Sequence, residues 1–386
     1  IGVHDGSMPK HITTSTITYF NQHQLDFLFC TNTIIEGVNT SAKNVIYYDN
    51  KIGKRDVDYF DYANIKGRAG RLMEHYVGII INLKKPPKKE LVSVDIPIID
   101  QNPIDSDVLV NLEEDQVKPI NDNKERYANF KALDSELQSI LKRNAVSIEG
   151  QLAILNQLEK DICNPQKYKY IAWNQPDRYL HDNLKYIIDL CWENLSTKEE
   201  RSSFGSRDNI RCKIVSICYG DTLGKIIEND INYQLKELAK SKDFAYTTIA
   251  DIYKTYTDEA QSAIDKVIEK VFSFQKNWQQ YRAPKWLNVV DSLQKYACKK
   301  HGKVSGDYSY VAEMVENSMI SPAFRVLLEY GVPDNAVRVI QNVLRQQAKV
   351  SDDMPEEELF HLIKINKKIL ETMLGRYELD IIEKLI

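Results

Sequence analysis

A chain of 386 residues exceeds the usual domain of roughly 100 to 200 residues, so two or three domains are expected instead of one core. Apolar residues at 43% and charged residues at 27% are those of an ordinary globular protein and exclude a disordered or collagen-like chain. A net charge of −4 excludes a global pull on polyanions, so any contact with nucleic acid has to come from a local basic surface.

The first 83 residues alternate short β-rich runs with helix-like stretches. The expected strands are Ile1–Val3, Asp26–Cys30, Asn44–Tyr48 and Tyr76–Asn82, with helices near Lys10–Gln24 and Tyr59–Arg71. Strands separated by helices imply βαβ crossovers and a parallel sheet. Because four strands make a thin sheet, and the chain opens at Ile1 without methionine, a further strand–helix unit is expected upstream. The basic run KKPPKKE, 84 to 90, closes this part and reads as a solvated linker more readily than as a phosphate-binding patch. It leads into 84–120, rich in Pro, Asp and Asn, which suits a linker or a path along another domain. From 121 onward the apolar spacing is helical, most clearly in Ala128–Arg143, Ile148–Asp161, Leu180–Leu195, Tyr233–Lys242, Asp258–Phe274 and Val311–Tyr330. The fold class expected is therefore α/β followed by all-α.

The six cysteines (Cys30, Cys163, Cys191, Cys212, Cys218, Cys298) show no C-x-x-C pair or zinc-type spacing, and read as reduced, buried thiols of a cytoplasmic protein. No apolar run approaches the roughly 18 residues of a membrane helix, and no metal site is expected.

Chemistry concentrates in three stretches of the first part. In FLFCTNTIIEGVNTSAKNVIYYD, 27 to 49, an apolar strand runs into small polar residues. Ligands of open parallel sheets gather beyond the carboxyl ends of strands, where Thr31, Thr33, Gly37 and Asn39 would sit and hydroxyls can meet phosphates. In NIKGRAGR, 64 to 71, Arg68 and Arg71 each follow a glycine. Gly67 and Gly70 allow close backbone approach, and guanidinium groups present forked donors that match phosphate oxygens. The arginines are expected to face the same carboxyl edge. Their plain alternative is a helix end with surface arginines; that of Thr31 and Asn39 is turn chemistry.

VHDGSMP at 3 to 9, the 27 to 49 stretch and NIKGRAGR resemble, in order and interval, the successive motifs of the second RecA-like lobe of superfamily 2 helicases, closest to the superkiller-like DExH branch. The resemblance implies that Arg68 and Arg71 reach the γ-phosphate of ATP as arginine fingers, with Asn64 in the place of a Gln or His that helps there. It implies that Thr31 touches the nucleic-acid backbone, and that Gly37 and Asn39 link that loop to the nucleotide. His4 and Gly6 match a loop lining the nucleic-acid face, while Asp5 stands where a histidine is common.

Neither the phosphate-cradling G-x-x-x-x-G-K-[ST] loop nor the acidic Mg²⁺ motif of the first lobe is recognisable, and Asp258–Gln261 (DEAQ) reads as helix composition. ATP and Mg²⁺ would thus be bound mainly by an N-terminal RecA-like lobe of the same protein, a truncated second lobe would start this chain, and the chain alone should not hydrolyse ATP. The partners implied are single-stranded DNA or RNA and that lobe, with no membrane and with protein partners possible through the helical region. A scaffold built on a degenerate helicase lobe, and an ATPase that remodels complexes without unwinding, stay open as alternatives. Two weaker candidates lie further on. NWQQYRAPKW, 277 to 286, is the best aromatic–basic strip for base stacking, although most aromatics should be core. LLEYGVPDNAVRVIQNVL, 327 to 344, faintly resembles a helix-hairpin-helix, but Gly ending one helix and Pro starting the next explains it more simply.

Overall fold

The computed structural model describes residues 1–31, 40–53, 55–70, 77–89, 101–174, 180–198, 200–201, 206–347 and 350–386. The chain divides into two compact units, Ile1–Val94 and Asp95–Ile386. It is a RecA-like α/β lobe followed by a mostly helical region.

In the first unit β1 (Gly2–His4), α1 (Lys10–Asn21) and β2 (Leu28–Cys30) form a βαβ crossover, with β1 and β2 parallel and Val3 opposite Phe29. The helix is rich in threonine, a poor helix former, and Thr13 and Thr18 donate back to the carbonyls of Pro9 and Thr14. Tertiary packing on Gly2 therefore supports it: a Cβ on Gly2 would stand 3.1 Å from Thr16 Cγ2 and 2.9 Å from Leu25 Cδ1. A second parallel pair joins β3 (Asn44–Tyr47) to β6 (Ile79–Asn82), with Val45 opposite Ile80. Between them come the short hairpin β4 (Lys51–Ile52) and β5 (Arg55–Asp56), for which the sequence pattern carried no signal, and α2 (Tyr59–Lys66). Asp58 caps α2 by accepting from Asp61 N at 2.8 Å, and Arg55 pairs with Asp61 at 2.9 Å. Tyr62 holds the helix to the strands, edge-on to Tyr47 at 5.2 Å and donating to Asn82 Oδ1 at 3.1 Å. Parallel strands are usually covered on both faces. Val3, Phe29, Ile46, Ile79 and Ile81 are nevertheless exposed.

The second unit is a helical assembly around one large core, with smaller clusters beside it. Residues 101–120 include the short helix Ser106–Leu109, and Ile104, Leu109, Leu112 and Val117 bury against Tyr127. Two expected helices break where the backbone finds a better cap. Ala128–Arg143 divides into Asn123–Lys131 and Ser135–Asn144 because Asp134 accepts from Leu137 N and starts a new helix. Val311–Tyr330 divides into Ser309–Glu316 and Pro322–Glu329, with Ser318 and Met319 in the left-handed region between them. Asp258 and Glu259 of the DEAQ string occupy the first turn of the helix Thr257–Phe274, where carboxylates complement the helix dipole.

That helix continues through a π-helical stretch, Gln275–Arg282, into Ala283–Lys300. Pro284 lies at the start of the last segment, directly after the π-helical stretch, where the N–H it lacks leaves a gap in the regular ladder. Trp278 and Trp286 are buried, 1% and 2% exposed; Trp278 stacks with Trp192 at 5.9 Å and meets Trp286 edge-on at 5.1 Å. The aromatic–basic strip is thus core on its tryptophan side, because helical spacing turns both indoles inward. Tyr281 alone of its aromatics is exposed, under Lys285. The thiols also depart from expectation: Cys191 and Cys298 are buried, whereas Cys30, Cys163 and Cys212 are exposed.

The hairpin 327–344 follows the plain reading. Gly331, φ +81°, closes the helix Pro322–Glu329; its N–H and that of Val332 donate to Leu328 O and Leu327 O at 3.0 and 2.9 Å. Amides so engaged are not available to a phosphate. Arg338, on Asp334–Gln347, donates to the carbonyls of Gly220 and Ser318, tying three segments together. Arg338→Ala strands both carbonyls and should lower the stability of the helical unit by about 2 kcal/mol in a urea titration.

Candidate functional site

Site chemistry in the first unit is built at two kinds of strand end. The first is the carboxyl end of β1 and β2. Thr31 N donates to His4 O at 3.1 Å, extending the parallel ladder by one bond. Immediately beyond, the Asp5 carboxylate accepts from Ser7 N at 2.8 Å and from Ser7 Oγ, and the Gly6 amide and Thr31 side chain favour its charged form. Burial works against ionisation of Asp5, yet the donors from Ser7, Thr31 and Gly6 outweigh it and hold the carboxyl below its ordinary value. Thr31 is exposed, Gly6 and Ser7 are half-buried, and His4 is buried at 4% exposure with neither ring nitrogen hydrogen-bonded. Burial lowers the His4 pKa, outweighing a backbone hydrogen bond and the nearby Asp5 charge, and so favours the neutral imidazole. The structure thus brings together His4, Gly6 and Thr31 from two separate stretches. Asp5, which lies between His4 and Gly6, was visible in sequence only as a departure from the helicase pattern. Of the other residues expected here, Thr33, Gly37 and Asn39 lie outside the described residues.

The second is the turn after α2. Asn64 lies on the helix, Gly67 caps it at φ −65°, and Arg68 N and Ala69 N donate to Ile65 O and Lys66 O at 3.1 and 3.2 Å. Gly70 then crosses to the other strand pair, its N–H bonding Ala42 O at 3.0 Å. Ala42 and Gly78 precede β3 and β6, so this turn stands at the entrances of those strands. That differs from the carboxyl edge expected for Arg68: a helix that follows β3 and precedes β6 in a crossover delivers its C-terminus to the start of β6. Arg71 lies outside the described residues.

The two glycines of the turn differ in kind. Gly70 has φ +77°, and a Cβ there would stand 2.7 Å from Gly78 N, so the fold itself demands glycine. Gly67 is in the ordinary helical region and exposed, and a Cβ would meet only Asn64 O at 3.4 Å and Ala63 O at 3.5 Å. Among the described residues nothing requires it to be bare.

The helical unit offers less. Adjoining clefts of about 490 and 650 Å³ run between Ser135–Asn144 and Ala283–Lys300, but Lys299 pairs with Glu136 and Lys295 with Asp291, which cancels much of their charge. Among the described residues no group of three or more His, Cys, Asp or Glu could hold a metal ion, and no helix is long and apolar enough to cross a membrane.

Comparison with known proteins agrees with the first unit. Across 97% of its length the chain is 27% identical to Anti-bacteriophage protein B of Escherichia coli (strain K12), and it spans about half, 48%, of that relative. Residues 1–73, which contain the β1–β2 strand end and the turn after α2, match the helicase conserved C-terminal domain, so the head of the chain is similar to that domain.

Proposed function

We propose that this chain supplies the second lobe and helical region of an ATP-dependent superfamily 2 helicase or translocase of the DExH type, whose P-loop lobe lies outside residues 1–386. In this reading ATP and Mg²⁺ are held mainly by that lobe, and the exposed apolar strands Ile46, Ile79 and Ile81 belong to a surface that a neighbouring lobe covers. Bound ATP supplies a γ-phosphate whose transfer to water drives opening and closing. Arg68 and Arg71 meet its charge as arginine fingers, with Asn64, Gly67, Gly70, Gly37 and Asn39 around the nucleotide, and Thr31, Thr33, His4 and Gly6 belong to the nucleic-acid side. The match of residues 1–73 and the motif order support it. By the name of its relative, the setting is defence against bacteriophage.

The observation that carries the proposal is Gly67, a bare and exposed backbone beside Arg68 that the fold does not need. A phosphate-bearing ligand approaching Arg68 explains it. Gly67→Ala, in the protein joined to its P-loop lobe, should leave the melting temperature unchanged or slightly raised, since alanine is compatible with this φ. It should lower nucleic-acid-stimulated ATP turnover about tenfold, because a methyl group intrudes where the ligand packs. Turnover equal to wild type would remove Gly67 from the nucleotide site; absence of any stimulation by DNA or RNA in the parent protein would remove the motor reading.

A further inference from the structure

One part of the aromatic–basic strip is not consumed by the core. Gln280 and Tyr281 lie near the end of the π-helical stretch Gln275–Arg282, and Tyr281 stays 57% exposed while Trp278 and Trp286 turn inward. π-Helical turns are rare and occur frequently at functional sites. Lys285, one turn on, holds the ring: its Nζ stands 5.6 Å from the ring centre and donates to Ala145 O at 3.0 Å, just past the helix Ser135–Asn144. An aromatic ring fixed in this way and more than half exposed offers a flat surface on which a base can stack.

The cleft that Tyr281 lines, about 650 Å³, falls within the roughly 300 to 1,000 Å³ of small-molecule sites. Gln280 and Asn288 also line it, both exposed, and their amides carry donor and acceptor side by side, as base edges do. From the helix Ser135–Asn144 comes Arg143, exposed and with no carboxylate at ion-pair distance among the described residues. Of the two carboxylates in the lining, Asp291 is engaged by Lys295 at 2.7 Å and by Tyr308 N at 2.8 Å. Glu316 remains, set against Arg143 and Lys285. That balance suits one phosphate group and opposes a chain of them.

We propose that this cleft of the helical unit binds a free nucleoside monophosphate, its base stacked on Tyr281 and read by Gln280 and Asn288, its phosphate met by Arg143. Lys285 is a positioning residue that fixes the ring. The site shares no residue with the strand ends of the first unit and does not depend on the function proposed for them.

The test is calorimetric titration of the full chain with AMP, GMP, CMP and UMP in turn. At least one should bind with a Kd below ~1 mM. For that nucleotide Tyr281→Ala should weaken binding about tenfold and Tyr281→Phe should not, because the ring face and not the hydroxyl does the stacking. Arg143→Gln should weaken the nucleotide about tenfold and leave the affinity of the matching nucleoside unchanged, since only the phosphate meets the guanidinium. Both side chains are exposed, so the melting temperature should stay that of wild type. Arg68→Ala should have no effect; loss of binding with it would place the nucleotide in the first unit and overturn the proposal. Absence of binding by all four nucleotides, or unchanged binding by both Tyr281→Ala and Arg143→Gln, overturns it as well. Displacement by an equal concentration of inorganic phosphate would reduce the cleft to an anion site, and displacement by oligo(dT) would reassign it to a nucleic-acid strand; either result overturns the proposal.

Discussion

Replacing Arg68 by alanine in the protein joined to its P-loop lobe is expected to cut nucleic-acid-stimulated ATP hydrolysis about 10³-fold, with nucleotide affinity changed by no more than about threefold. The asymmetry is the diagnostic feature. An arginine that meets charge developing on a transferring phosphoryl group acts on the transition state, so kcat falls while ground-state binding is retained. The turn that carries Arg68 is suited to this, being fixed by three consecutive backbone bonds from Arg68, Ala69 and Gly70. Such a scaffold positions the side chain before the reaction, which is where electrostatic stabilisation gains its strength. Arg68→Lys should restore little, because an ammonium lacks the two-pronged geometry of guanidinium. Arg71→Ala should behave alike. Single-turnover hydrolysis alongside nucleotide binding separates the outcomes: equal losses in both would make Arg68 an ordinary binding residue, and unchanged turnover would remove it from the site.

Gly78→Ala should unfold the first unit. The added Cβ would lie 2.3 Å from the carbonyl carbon and oxygen of Ala69 and 2.5 Å from Gly70 N. These are backbone atoms, held from the other side by the bond from Gly70 to Ala42, so no side chain can swing away to relieve the contact. Overpacking of flexible cores costs about 1 to 3 kcal/mol. A backbone collision at a junction of two strands and a turn should exceed that and consume much of the roughly 5 to 15 kcal/mol that stabilises a domain. Hydrogen exchange reads it locally: amides of Val45–Tyr47 and Ile80–Asn82 should lose protection while those of Ala283–Lys300 keep theirs. Gly70→Ala should follow the same course, with the added cost of a left-handed backbone at φ +77°. Retained protection in the β3–β6 pair would show that the glycine contact is not what joins the turn to the strands.

The arginine prediction and the glycine prediction divide one motif into two physical roles. Gly70 and Gly78 let α2 dock its C-terminus at the entrance of β6, whereas Gly67 is exposed and in the ordinary helical region. Thr31 lies elsewhere, at the carboxyl ends of β1 and β2, so the proposed nucleotide and nucleic-acid residues stand at different strand ends.

What the sequence by itself determined is local: alternation of short apolar runs with helical periods, which placed β1, β2, β3, β6, α1 and α2 close to their observed positions, and the spacing of three motifs, which agrees with the helicase C-terminal match over residues 1–73. Those features depend on residues a few places apart, whose periodicity follows from backbone geometry alone. What only the tertiary structure decided depends on residues distant in the chain. Trp278 and Trp286 looked eligible for a stacking strip until packing in the helical core, Trp278 on Trp192 and Trp286 on Trp278, buried them. Gly67 and Gly70 looked alike until Gly78 stood against one of them. His4 and Thr31 looked unrelated until the parallel pairing of β1 and β2 brought Thr31 N to the His4 carbonyl, because strand pairing joins residues more than twenty places apart.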